Sequence, residues 1–258
     1  AEVPGMSAQT FNYYLGACKA FCRWMVKDRR ATSSPIAHLD VLNARMDRRH
    51  DRRALTEEEQ RSLIQAARGG KEIFGRDSDG RISWRLSGCD RAMLYQLALE
   101  TGLRAGELRS LTPRSFSLGS DLSTVSVLAA YSKHRRDDTL PLRPSTASML
   151  GEFLMERPLD LPVFQFPKRE ELARILRVDL EAAGIPYRDA QGRVADFHAL
   201  RHTFTRSMED AGAKVSDIQS RLGHASLATT GRYLAALRRE MEAFQPGPYT
   251  GPHDPRMG

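Results

Sequence analysis

The chain has 258 residues, a formal charge of +7 and a pI near 9.6, a balance that suits a polyanionic partner without proving one. Three cysteines are too few for a disulfide framework. No apolar run approaches the ~18 residues of a membrane helix, so a cytoplasmic protein with no membrane segment is expected.

The basic residues are unevenly chosen, with only six lysines among the 39 Lys+Arg. Arginine offers a fork that holds phosphate in two places, which lysine cannot; a GC-rich genome would produce the same bias.

In chain order, Phe11, Tyr14, Leu15, Cys18, Phe21, Cys22 and Met25 recur at spacings of three and four, which predicts a helix over 10–26. On that stripe Cys18 and Cys22 read as buried thiols rather than a metal pair. Ser34-Pro35 breaks the pattern, and a short segment follows to about Leu42. One long helix and a short one make a poor independent domain. Residues 1–43 are therefore expected to be the end of something larger, and a start without Met fits a missing N-terminal portion.

Residues 44–53 carry no apolar period and read as an extended linker. Five arginines, Arg45, Arg48, Arg49, Arg52 and Arg53, suit a strap lying on a phosphate backbone. A solvated spacer is the plainer alternative.

A new domain opens with a capping box, Thr56 and Glu59, and a helix to about Ala67 that stops at Gly69-Gly70. A second helix spans about Cys89 to Glu100 and ends at Gly102. Alternation over 124–128 predicts a strand that pairs with 139–142 across a charged turn. Helices are expected at about 145–156 and 168–183, then a small hairpin from Tyr187 to Val194 turning at Gln191-Gly192. Helices at about 198–211, 215–222 and 227–233 and a tail helix complete the pattern. The fold class is mainly α with a small antiparallel β-sheet (α+β), the catalytic domain covering 54–235 and the tail 236–258.

Three segments carry the chemistry: Thr101-Gly102-Leu103-Arg104-Ala105-Gly106-Glu107-Leu108, His198-Ala199-Leu200-Arg201-His202, and Leu222-Gly223-His224 with Tyr233 nine residues after His224. Lys133 stands eight residues before Pro141 in the predicted hairpin. Each piece is weak alone. In this order and spacing they resemble the tyrosine recombinases, or phage-type integrases, over about residues 54–244. The resemblance extends loosely to 7–43, which are similar to the end of that family's helical core-binding domain, the domain that clamps DNA.

The resemblance implies a site-specific recombinase or integrase that cuts and rejoins DNA through a 3′-phosphotyrosyl intermediate. Tyr233 would be the nucleophile, Arg104 and Arg201 the phosphate-binding forks, His198 the proton acceptor, His224 a hydrogen-bond donor to phosphate and Lys133 the acid to the leaving oxygen. Glu107 is expected to buttress Arg201 or His198, and His202 to be structural. Arg135, Arg136 and Arg232 are expected to touch DNA, although Asp137 and Asp138 depart from the basic hairpin of the family. No cofactor or metal is implied. The i, i+4 pair His198 and His202 has zinc-like spacing, but the glutamate of a metalloprotease is missing and an arginine lies between. The implied partner is double-stranded DNA, bound by a homotetramer on two sites at the nucleoid in the cytoplasm, with a monomer as the alternative state in the absence of DNA. A tyrosine-type topoisomerase and a non-catalytic DNA-binding regulator are the alternatives.

Overall fold

A computed structural model describes residues 5–44, 46–47, 50–119, 122–132, 137–165 and 169–222. The chain divides into two compact units, Ala1–Asp51 and Arg52–Gly258.

In the first unit, helix α1 (Ala8–Lys27) starts at Ser7, whose hydroxyl accepts the Thr10 N–H. The chain then returns along the helix. Asn12 exchanges two 2.8 Å hydrogen bonds with the backbone of Leu42, Lys19 donates to the carbonyls of Ala37 and Leu39, and Asp47 accepts the Ala8 N–H. The apolar stripe is largely uncovered within this unit. Leu15 is buried, but Tyr14, Phe21 and Trp24 are exposed. Contrary to expectation, Cys18 is exposed and Cys22 only half-buried, because the apolar side chains of the returning segment, Leu39, Val41 and Leu42, are themselves exposed rather than laid on the stripe.

The second unit begins with helix α2 (Glu57–Gly69), closed by the Thr56/Glu59 capping box. An antiparallel hairpin follows, β1 (Ile73–Arg76) and β2 (Ile82–Leu86). It was not expected, since its apolar side chains do not alternate cleanly; it is held by Trp84 lying on Gly75, where an added Cβ would fall 2.2 Å from the indole nitrogen.

Helix α3 (Gly88–Thr101) is the centre of the unit, buried on nearly every side. Such a helix must satisfy its own polar groups. Arg91 donates to both oxygens of Asp179 at 2.9 and 3.2 Å and to the carbonyls of Lys71 and Leu86. The Tyr95 hydroxyl donates to the same carboxylate at 2.8 Å, and burial together with Asp179 pushes that phenol well above its ordinary pKa. Glu100 accepts from Thr146 and from the Arg143 N–H, both at 2.5 Å.

After the short helix α4 (Ala105–Ser110), strands β3 (Phe116–Ser117), β4 (Thr124–Val127) and β5 (Asp138–Pro141) form an antiparallel sheet in the order β3-β4-β5. Val125 faces Leu140, and the buried Val125, Val127 and Leu140 turn that face toward the core. Helices α5 (Pro144–Leu154), α6 (Arg169–Ala182), α7 (Phe197–Asp210) and α8 (Val215–Leu222) follow near their predicted places. The segment before α7 is a tight turn with one antiparallel bridge, Arg188 to Val194, rather than a full hairpin. The helix expected at 227–233 and the tail helix lie outside the described residues. Among the described residues no helix is long and apolar enough to cross a membrane.

Candidate active site

The Thr-Gly-Leu-Arg segment is a helix stop followed by a helix start. Thr101 turns its hydroxyl back to the Leu97 carbonyl at 2.6 Å. Gly102 then takes left-handed angles (φ 65°, ψ 16°) as the cap of α3. A side chain there would also strike Phe204 of α7 at 2.4 Å. Only glycine meets both demands, and it lets α3 and α7 approach closely. Two residues on, Arg104 is the N-cap of α4.

Glu107, in the first turn of α4, folds back on that cap. One oxygen accepts the Arg104 N–H at 2.7 Å and the other the Arg104 guanidinium at 2.8 Å. The partner of Glu107 is therefore Arg104 rather than the expected Arg201 or His198, because a carboxylate three residues after a cap lies nearest its own cap. The Arg104 side chain remains a quarter exposed, so its fork is oriented and still open to solvent.

Helix α7 carries the second segment. Its N-cap, Asp196, accepts the Ala199 N–H at 3.0 Å. Arg201, one turn in, is almost wholly buried at 3% exposure. Its guanidinium donates to the Gly102 carbonyl at 2.5 Å and to the Leu222 carbonyl. One side chain thus ties the end of α3, the body of α7 and the end of α8, touching a residue of each of the three motif segments. Carbonyl dipoles satisfy N–H groups without cancelling a charge.

His198 stands half-buried at the start of α7. Burial lowers its pKa to about 3, reinforced by the cations of Arg52 and Arg201 and by His202, with Asp196 opposing. The imidazole is therefore uncharged at neutral pH and able to accept a hydrogen bond or proton. His202 is buried, its ring centroid 6.2 Å from that of His198 at 70° between planes. Among the described residues no three His, Cys, Asp or Glu side chains group as metal ligands.

Arg52 and Arg53, expected on a phosphate backbone, are instead engaged within the fold. Arg53 is buried and reaches both oxygens of Glu59, at 2.7 and 2.9 Å, and the Pro186 carbonyl. Arg52 grips Asp196, with its Nε 2.8 Å from each carboxylate oxygen. Burial alone would raise the Asp196 carboxyl, but the bonds and charge of Arg52, with His198 and the Ala199 N–H, hold it below the usual range. The motifs gave no sign of this pair. The only legible part was an aspartate at the capping position of α7. Lys133, His224, Tyr233, Arg45, Arg48, Arg49, Arg135, Arg136 and Arg232 lie outside the described residues.

The model of the phage integrase family matches residues 53–240. The tyrosine recombinase XerC of Xanthomonas axonopodis pv. citri (strain 306) is 27% identical over 230 residues, covering 89% of this chain and 68% of that protein. The XerC of Pelobacter propionicus is 31% identical over 159 residues, 60% of this chain and 50% of that protein. The chain spans 35% to 68% of the length of the curated relatives it matches. Among solved structures, the XerH site-specific recombinase bound to a palindromic difH substrate, a post-cleavage complex, aligns with a TM-score of 0.68 at 20% identity, over 93% of this chain and 67% of the other. The Tn1549 transposon integrase with transposon right-end DNA aligns at 0.64 and 18%, over 93% and 80%. Those two likenesses show the fold, and the family model matching most of the chain shows the lineage: this chain belongs to the phage integrase family.

Proposed function

We propose that the protein is a tyrosine site-specific recombinase that breaks and rejoins double-stranded DNA. The observation that supports this most directly is the reach of the Arg201 guanidinium to Gly102 and Leu222. It brings to one buried cation the end of α3 just before Arg104, the helix of His198 and the end of α8, from which the sequence runs on to His224 and Tyr233.

In this reading the Tyr233 oxygen attacks a phosphorus atom of the backbone. The bond from phosphorus to the 5′-oxygen breaks, leaving a 3′-phosphotyrosyl ester and a free 5′-hydroxyl. The phenol, with a pKa of ~10, gives its proton to His198, and Lys133 supplies one to the departing oxygen. Arg104, held by Glu107, and Arg201 stabilise the charge on the non-bridging oxygens, with His224 donating a hydrogen bond. A basicity as low as that of His198 makes a poor acceptor in the free protein. A phosphodiester anion beside Arg201 offsets part of the effect of that cation, which ranks behind burial and Arg52 among the causes, and so raises the basicity of His198. Rejoining is the same step reversed with a new 5′-hydroxyl, so bond energy is kept and neither ATP nor a metal is called for.

The reaction on two duplexes needs four cuts, which favours a homotetramer on paired sites, working on the nucleoid in the cytoplasm. Arg135, Arg136 and Arg232 remain the proposed DNA contacts near the centre. In the strap, Arg45, Arg48 and Arg49 keep that role, while the guanidinia of Arg52 and Arg53 are already engaged.

The test needs no knowledge of the target. The protein is incubated with sheared genomic DNA in EDTA, denatured and digested, and the DNA attached to peptide is sequenced. A recombinase yields adducts on the Tyr233 peptide that cluster at a recurring sequence and vanish in Tyr233→Phe. Adducts surviving that substitution, or a strict need for a divalent cation while DNA binding is intact, would overturn the reading.

A further inference from the structure

Arg52 is the first residue of the second unit, and its backbone and side chain do one job. The backbone lies in a parallel bridge with Val194, and the next N–H, of Arg53, donates to the Val194 carbonyl at 3.2 Å. The side chain closes on Asp196 from two nitrogens, Nε at 2.8 Å from both oxygens and Nη2 at 2.8 Å from Oδ2. That carboxylate also caps α7 through Ala199. His198 follows two residues later, and among the described residues Asp196, Arg52, Arg201 and His202 are the charged and titratable groups acting on it. A carboxylate that caps a helix needs no cation to do so. The arginine that meets this one comes from 144 residues away, and its charge acts on His198 as well.

We propose that Arg52 is a positioning residue for His198: by gripping Asp196 it fixes the first turn of α7 and sets the balance of charge that the imidazole meets. The acceptor role of His198 rests on the recombinase reading, whereas its placement by Arg52 does not. Arg52 and Asp196 act on His198 with opposite sign. Removing the cation takes away a repulsion and leaves the carboxylate uncompensated, and both effects favour the imidazolium. Removing the carboxylate takes away an attraction and leaves the guanidinium uncompensated, and both oppose it.

The experiment is a pH titration of the His198 ring by long-range proton–nitrogen NMR in the full chain, without DNA. It compares the native sequence with Arg52→Gln and Asp196→Asn, with circular dichroism confirming that each is folded. In Arg52→Gln, His198 is expected to titrate higher than in the native chain. In Asp196→Asn it stays uncharged over the whole accessible range. A helix start that is merely loosened would hydrate His198 and shift it upward in both variants. That outcome overturns the proposal, as does an unchanged titration in Arg52→Gln. Should Arg52→Gln fail to fold, an upward shift in Asp196→Asn alone is enough to overturn it. Adduct formation on genomic DNA is then measured across pH for the same proteins. If the native chain forms none, the recombinase reading fails while the titration still decides the role of Arg52.

Discussion

Two turns in the second unit share a six-position pattern and most of their hydrogen bonds, yet they feed helices with different tasks. The pattern is Arg-Asp-x-x-Gly-Arg, at 76–81 and at 188–193. In both, the aspartate N–H donates to the carbonyl of the second arginine, the glycine N–H donates to the aspartate carbonyl, and the first arginine donates to the glycine carbonyl. The glycines have φ of +77° and +78°. The first turn leads through β2 to Ser87, whose capping box with Asp90 closes α3, and Arg157 pairs with that carboxylate from 67 residues away. The second leads past Val194 to Asp196, whose charge is met by Arg52 from the far end of the sequence. Local chemistry builds the turn twice. A distant arginine meets the capping carboxylate after both, Arg157 at Asp90 and Arg52 at Asp196, and only the second cap lies two residues from a motif histidine.

The widest separation is expected between the arginines on the two helices. Arg91 on α3 is neutralised inside the fold by Asp179, and breaking a buried pair costs about 3–5 kcal/mol. Arg91→Ala should lower the urea midpoint accordingly, with any loss of adduct following unfolding. Arg201→Ala should cost adduct formation at least ~10²-fold, the scale of one lost charge-stabilising donor, in protein that remains folded at 20 °C. If the two variants show the same ratio of stability loss to activity loss, α7 carries no separate role.

The acid response sharpens the contrast, because it belongs to α7. His198 falls from 6.5 to about 3 on folding, so the unfolded chain takes up a proton that the folded chain refuses. Stability from this group is whole above the unfolded value and drains as pH falls. Between pH 6.5 and 5 the loss is about 1.5 kcal/mol. Asp196, held low, adds a loss in the same direction only below the ordinary carboxylate range. Urea melts of the native chain and of His198→Asn should show the early drop in the first and its absence in the second. An equal drop in both would assign the acid sensitivity elsewhere.

These contrasts also mark what the sequence could reveal. The helices were legible where caps and period agreed, as at Thr56 to Ala67, and the pairing of 124–127 with 138–141 followed from alternation across a charged turn. The hairpin at 73–86 was missed although its turn matches one that was found. Its strand residues Phe74 and Ile82 are exposed, so no alternating pattern announced them. At the site, the order of Arg104, His198 and Arg201 was legible because each sits on a short local motif. The partners of Glu107 and Arg52 were not. Glu107 turned to its own cap, a choice set by distances within one turn, and Arg52 found Asp196 across the whole unit, a contact that only folding creates.

Caps give the next smaller effect. Ser87→Ala should cost ~1 kcal/mol, the usual value of a lost N-cap. Asp196→Ala should cost more, because it removes a cap and also leaves the Arg52 guanidinium without its carboxylate. Asp196→Ser restores the cap alone, and by thermal melts should recover only part of the difference. Full recovery would mean that the ion pair contributes nothing to holding α7.

The smallest expected effect is the most direct comparison of the two turns. At both Gly80 and Gly192 an added Cβ would meet nothing within 4 Å, so alanine introduces backbone strain and no clash. A left-handed alanine costs about 1–2 kcal/mol, and the stiffer unfolded chain returns about 0.4–1 kcal/mol. Each variant should therefore lose only ~1 kcal/mol in a urea melt. Most local terms cancel when the two losses are subtracted, apart from the 2.8 Å bond of Arg193 Nε to Asp189 that only the second turn has. What remains measures context: the hairpin strands around Gly80 against the Arg52 bridge beside Gly192. A loss at Gly192 clearly larger than at Gly80 would show the turn before α7 held in place by its surroundings. Equal losses would show both turns standing on their own hydrogen bonds, with the Arg52–Asp196 grip beginning only after the turn is complete.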